Sequence, residues 1–134
     1  MNRLLKTSII FLGFSLFAVL FTNIYAVFGH GVRSRYMDLM FLAPLAASLV
    51  FLLLFLLHPN VCGIRGYRLF LNTFCSGVAT LTAGLLLRGV ISIAGSSSFY
   101  VPWFIYIGAA ASAVGVVMLP RLLISVKGKH EIRK

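Results

Sequence analysis

Short polar breaks cut the sequence into four apolar runs, and each run is long enough to cross the hydrocarbon core of a bilayer as a helix. The runs fall at about 7–28, 39–57, 68–92 and 101–124, followed by a basic tail at 125–134. A core roughly 30 Å thick takes about 20 residues in helical form. Composition agrees, since 60% of the 134 residues are hydrophobic and mean hydropathy is +1.03. A soluble domain of this size buries only about two-thirds of its unfolded surface and could not hide so much apolar area. Lipid is therefore the solvent for most of the chain.

The breaks carry turn chemistry. Gly29-His30-Gly31 follows the first run, His58-Pro59-Asn60 the second and Gly95-Ser96-Ser97-Ser98 the third. Proline cannot continue a hydrogen-bonded helix and disfavours helical geometry in the residue before it. Pro102, by contrast, suits the first turn of the fourth run, where its missing N–H is not needed. Connections this short join neighbouring antiparallel helices. The expected fold is an all-α integral membrane protein: one four-helix domain over 1–134, with antiparallel transmembrane helices and short loops.

Charge sets the expected orientation. The chain has 12 Lys and Arg against two acids, Asp38 and Glu131, for a net charge of +10. With four spans both termini share a side, and that side carries Arg3, Lys6, Arg65, Arg68, Arg121, Lys127, Lys129, Arg133 and Lys134. Only Arg33, Arg35 and Arg88 fall on the other. The basic side stays cytoplasmic, which places both termini there in a multi-pass protein of the cell membrane. These bases meet anionic lipids at the cytoplasmic face. Topology thus accounts for the positive charge, and no nucleic-acid partner is expected. The first run also has the basic start of a secretory signal and ends on Ile24-Tyr25-Ala26. At about 22 residues it exceeds the 7–15 of a signal core, so it reads as a retained helix.

Small residues mark the expected helix contacts, because lipid gives helices no hydrophobic reason to associate and close approach needs small side chains. Ser76, Thr80 and Gly84 recur at four-residue spacing in the third run, and Gly108 and Ser112 in the fourth. Each such set lies near one helical face. Phe and Leu dominate the first two runs, which suits lipid contact. Pro44 releases the carbonyl of Met40 within the second run.

Chemistry is sparsely marked. Two carboxylates on opposite sides of a membrane form no acid–base pair, and no run has an acid in its middle as a proton-coupled transporter does. His58 and Cys62 lack further partners for a metal, and no cofactor or catalytic residue is expected. Cys62 and Cys75 fall in a loop and in a span, so no disulfide is expected. The densest polar segment runs from Gly29 to Asp38. His30, Arg33, Arg35 and Asp38, joined by Arg88, are the candidates for an anion or lipid head-group site, since arginines bind phosphate and carboxylate bidentately. Asp38 is expected to begin and cap the second span.

The expected function is a non-enzymatic accessory or interaction subunit, with a homo-oligomer or a larger membrane protein as partner. The alternatives are a small oligomeric transporter or channel, which needs a polar path, and an outer-face enzyme on a lipid-linked substrate, which needs the five polar residues to converge.

Overall fold

The computed structural model describes residues 2–132 of the chain. Its helices are α1 (Arg3–Phe28), α2 (Arg35–Leu39), α3 (Leu42–Leu57), α4 (Tyr67–Ile93) and α5 (Val101–Glu131), with a 3₁₀ turn at Pro59–Gly63 between α3 and α4. No strand forms among the described residues. Four stretches are long and apolar enough to span a membrane: Arg3–Phe28, Arg35–Leu57, Tyr67–Ile93 and Val101–Gly128.

Two helix pairs build the bundle, and both follow a seven-residue rhythm. The buried positions of α1 include Ser8, Ser15 and Thr22. Each uses its hydroxyl to join the second span. The Ser8 hydroxyl donates to the Ser48 carbonyl at 2.9 Å and the Ser48 hydroxyl returns the bond to Ser8 at 2.9 Å. Ser15 donates to the Phe41 carbonyl at 3.2 Å, and Thr22 reaches the Met37 carbonyl at 3.1 Å. Packing supplies the rest of the attraction, and in lipid such hydroxyl bonds add about 0.6–1.7 kcal/mol each.

The α4–α5 pair is held by glycine. Among the residues of α5 whose burial is described, the buried ones are Val101, Gly108, Gly115 and Leu122, each seven residues from the last. Gly108 lies against the Leu81 backbone, Gly77 against Ser112 and Ala111, Gly84 against Phe104 and Ile105, and Gly115 against Phe74. Residues seven apart drift by only about 20° around a helix, so they keep one face toward a partner.

An aromatic cluster ties the pairs together. Phe51 is fully buried, and its ring lies 5.7 Å from Phe11, 6.0 Å from Phe70 and 5.7 Å from Phe74. Leu4, Val61, Tyr67 and Leu122 join the same core at the end of the bundle that carries the chain termini, called here the terminal end. At the other, distal end, buried Met37 of α2 packs over Gly89 of α4.

Three details differ from the sequence reading. The second span is broken: α2 stops at Leu39 and α3 starts at Leu42. Pro44 explains the break, because it has no N–H for the Met40 carbonyl and its ring crowds that group. Asp38 therefore caps nothing; it sits inside α2, whose N-cap position is Ser34, with no side-chain capping bond. Finally, α5 runs through Pro120 and stays helical to Glu131, well past 124 into the basic tail, while Arg133 and Lys134 lie outside the described residues.

Of the expected α4 set, Gly84 lies on the packing face while Ser76 and Thr80 lie off it. Ser76 is exposed, and half-buried Thr80 returns its hydroxyl to the Ser76 carbonyl at 2.8 Å. Residues four apart rotate by about 40° per step, so Ser76 lies well round the helix from Gly84. Gly77 joins Gly84 on the contact face. On α5, Gly108 is buried on that face, and half-buried Ser112 meets Gly77 while its hydroxyl bonds the Gly108 carbonyl at 2.8 Å.

Candidate functional site

The polar residues of the distal end are placed by two helix stops. α1 ends with His30 in the left-handed region at φ 55°, the Gly31 N–H bonding the Ala26 carbonyl at 2.9 Å. This is the backbone wrap that usually takes glycine after a helix. His30 is exposed there, and its position is accounted for by the turn. α4 ends the same way, with Gly95 at φ 68° and bonds from Gly95 to Ser92 and from Ser96 to Ile91. That wrap folds Ser96, Ser97 and Ser98 back beside the last turns of α4.

Between these stops, α2 lies as a short strut with different side chains on different flanks. Met37 is buried, Tyr36 turns to one side and Asp38 to the other, each beside its own cavity. The first cavity, about 260 Å³, is lined by Tyr36, Arg88, Ser96, Ser97, Ser98 and Pro102, among others. The guanidinium carbon of Arg88 stands 4.3 Å from the centroid of the Tyr36 ring, a cation–π stack. The second cavity, about 170 Å³, brings Arg33 and Asp38 together with Asn23 and Thr22. Arg33 donates to the Asn23 side-chain oxygen at 2.8 Å, and Asn23 donates to the Val19 carbonyl at 2.8 Å.

The five candidate residues thus do not form one cluster. Arg33 and Asp38 share one cavity, Arg88 lines the other, and His30 and Arg35 are exposed. Among the described residues no ion pair within 4.0 Å joins Asp38 to Arg88 or to a loop arginine. Arg88 takes an aromatic partner and Arg33 an amide. Comparison with family models, with curated proteins and with solved structures finds no match, so the chemistry of the site rests on its own residues.

Sequence reasoning passed over Tyr36 and the serine triplet as site residues. The signal was present in part: a glycine followed by three hydroxyls and, soon after, a helix-starting Pro102. What the sequence lacked was the fold of α2, which swings Tyr36 over Arg88.

At the terminal end, Arg3, Lys6, Arg65, Arg68, Arg121 and Lys127 are all exposed. Cys62 and Cys75 are both free and half-buried. Among the described residues, no three His, Cys, Asp or Glu side chains gather as a metal-ligating group. The remaining feature is on α4, where Asn72, Ser76, Ala79 and Ala83 are all exposed. The outward faces of α1 and α3 instead carry bulky side chains such as Leu16, Phe17, Leu20, Leu49, Leu53 and Leu56.

Proposed function

We propose that the protein is a non-enzymatic accessory subunit of the cell membrane, with four antiparallel spans and both termini cytoplasmic. In this reading it binds a transmembrane helix of a larger membrane protein along α4. The observation that carries it is the outward row Asn72, Ser76, Ala79 and Ala83. These positions follow the three- and four-residue spacing of a helix-packing seam. Small side chains there let another backbone approach closely, and the Asn72 amide offers that helix a hydrogen bond that lipid tails cannot make. The hydroxyls at Ser8, Ser15, Thr22 and Ser48, by contrast, are used inside the bundle. That use, and the division of the polar residues between two cavities, favours an interaction role over transport or catalysis. The reading takes anionic lipids of the cytoplasmic leaflet as the partners of the exposed bases at the terminal end.

Ala79→Leu and Ala83→Leu test the partner face. Both positions are exposed, so the isolated variants are expected to melt with the wild type. The complex extracted from native membranes in mild detergent is expected to shrink to the size of the isolated protein. A complex of unchanged size would remove α4 as the partner face, and a shrinkage matching loss of a second identical chain would make the partner another copy.

Orientation has its own expected result. The antiparallel order is supported by the pairing of Ser8 with Ser48 and of Thr22 with Met37. Single cysteines at Val32 and Ser97, both exposed, in a background lacking Cys62 and Cys75, are expected to react with an impermeant maleimide on intact cells. A cysteine at Lys129 is expected to react only after permeabilisation. Reaction at position 129 in intact cells would reverse the orientation.

A further inference from the structure

The cleft at Arg88 has the makings of an anion site, and its charge is the reason. Arg88 lies within α4, five residues before the helix ends at Ile93, and is half-buried. A guanidinium stays charged at any physiological pH, and holding one in partly desolvated surroundings is costly without a partner. The cleft supplies no carboxylate: its lining consists of one arginine, one tyrosine, four serines and apolar residues. The guanidinium carbon lies over the Tyr36 ring, 4.3 Å from its centroid. A cation–π contact uses no hydrogen-bond acceptor, so it leaves guanidinium N–H donors for an oxygen ligand.

Two further features of the cleft favour negative charge, set against the carbonyl end of α4 at Ile91 and Ser92, which favours Arg88 itself. Ser96, Ser97 and Ser98 bring three hydroxyl donors to its wall. Val101 and Pro102, the first residues of α5, also line it, so the positive end of that helix dipole faces the same space. Exposed Tyr100 precedes them at the N-cap, and exposed Trp103 and Tyr106 follow on α5. Aromatic residues of this kind settle at the head-group level of a bilayer. The volume, about 260 Å³, is below the roughly 300–1,000 Å³ of pockets that engulf a whole small molecule. A phosphate ester fits, with its acyl chains left outside in lipid.

We propose that this cleft holds the phosphodiester of an anionic phospholipid, with Arg88 as its charge partner, Tyr36 holding the guanidinium and Ser96–Ser98 donating hydrogen bonds to its oxygens. The proposal is independent of the partner face on α4. Vesicles with the same lipids in both leaflets make its test independent of orientation as well.

Trp103 is the only tryptophan in the chain, it is 55% exposed, and it adjoins Pro102 of the cleft. Its fluorescence can therefore report on the lipid seated there. The full-length protein is reconstituted in phosphatidylcholine vesicles in which either the phosphatidylcholine or added phosphatidylglycerol carries brominated chains. Brominated phosphatidylglycerol is expected to quench Trp103 at a several-fold lower mole fraction than brominated phosphatidylcholine. Loss of the charged contact should abolish that preference in Arg88→Ala, with part retained in Arg88→Lys. Because Arg88→Ala could disturb α4, the triple variant Ser96→Ala, Ser97→Ala, Ser98→Ala provides a second reading from the loop, and it too is expected to weaken the preference. Equal quenching by the two lipids in the wild type overturns the proposal. So does a preference that survives both Arg88→Ala and the serine variant. Titration with inorganic phosphate separates the sources: a lipid site keeps its phosphatidylglycerol preference at millimolar phosphate, whereas displacement by free phosphate would make the ligand aqueous and overturn the lipid assignment.

Discussion

Gly108→Leu is expected to separate α4 from α5 and produce one of the largest losses of stability available from a single substitution in this protein. A side-chain carbon at Gly108 would fall on the Leu81 backbone nitrogen and 2.7 Å from its Cα. Backbone cannot swing aside as a side chain can, so the helices must move apart, and packing along the whole seam weakens with them. Overpacking of this kind costs about 1–3 kcal/mol where the surroundings can shift, and more here because the obstacle is main chain. Gly77→Leu meets the same obstacle at Ser112 and Ala111, so it is expected to behave alike. The sign of Gly108→Ala is itself informative. Alanine favours helix over glycine by about 1 kcal/mol, so a destabilising alanine can only reflect the close contact. Gly13→Leu is the control, because a side chain there meets nothing within 4 Å. Thermal unfolding in detergent measures all four variants. Equal melting of Gly108→Leu and Gly13→Leu would mean that α4 and α5 do not meet at this seam.

Phe51→Ala is the second large effect. Its ring is fully buried and touches aromatic neighbours from α1 and α4, so one side chain connects three helices. Removing it leaves a cavity that rigid helices cannot close. Core phenylalanine truncations cost about 3–5 kcal/mol in water-soluble proteins. In lipid the transfer term from water is reduced, which places the expected loss near the lower figure, while the lost dispersion contacts remain. Phe17→Ala is the matched comparison: the same residue type, 62% exposed on α1, where lipid chains fill the vacated space. Unfolding monitored by circular dichroism should show a marked drop in Tm for Phe51→Ala and almost none for Phe17→Ala. Comparable shifts in the two would mean the aromatic cluster is not the core.

The spans were legible because the bilayer reads the sequence almost residue by residue. Length and hydropathy decide whether a segment can stay in hydrocarbon, and both are one-dimensional properties. The four apolar runs therefore coincide with the four long helical stretches to within a few residues at most ends. Helix ends at Gly29–Gly31 and Gly95 were legible for a similar reason, since the left-handed turn after a helix is a local event with a local residue preference. Where a run and a helix disagree, a contact outside the segment is involved. Pro44 breaks the second span at Met40–Phe41, yet the break is tolerable because Ser15 and Thr22 of α1 donate to carbonyls beside it.

The sequence by itself determined that this chain is helical, apolar enough for lipid, and divided four ways. Tertiary structure alone decided which small residues touch and which polar residues meet. Four-residue spacing pointed to Ser76, Thr80 and Gly84, and of these Gly84 lies on the seam, which it shares with Gly77. The rotation of a helix about its axis is set by its neighbours, and a uniformly apolar helix in lipid carries no amphipathic stripe to announce it. In the same way, Arg33, Asp38 and Arg88 are alike in sequence as polar residues near span ends. Only the placement of α2, held by Met37 over Gly89, sends Asp38 toward Arg33 and lays Tyr36 over Arg88. That strut is short and fixed by contacts with residues 15 and 52 positions away in the chain, at Thr22 and Gly89, so no local pattern could have placed it.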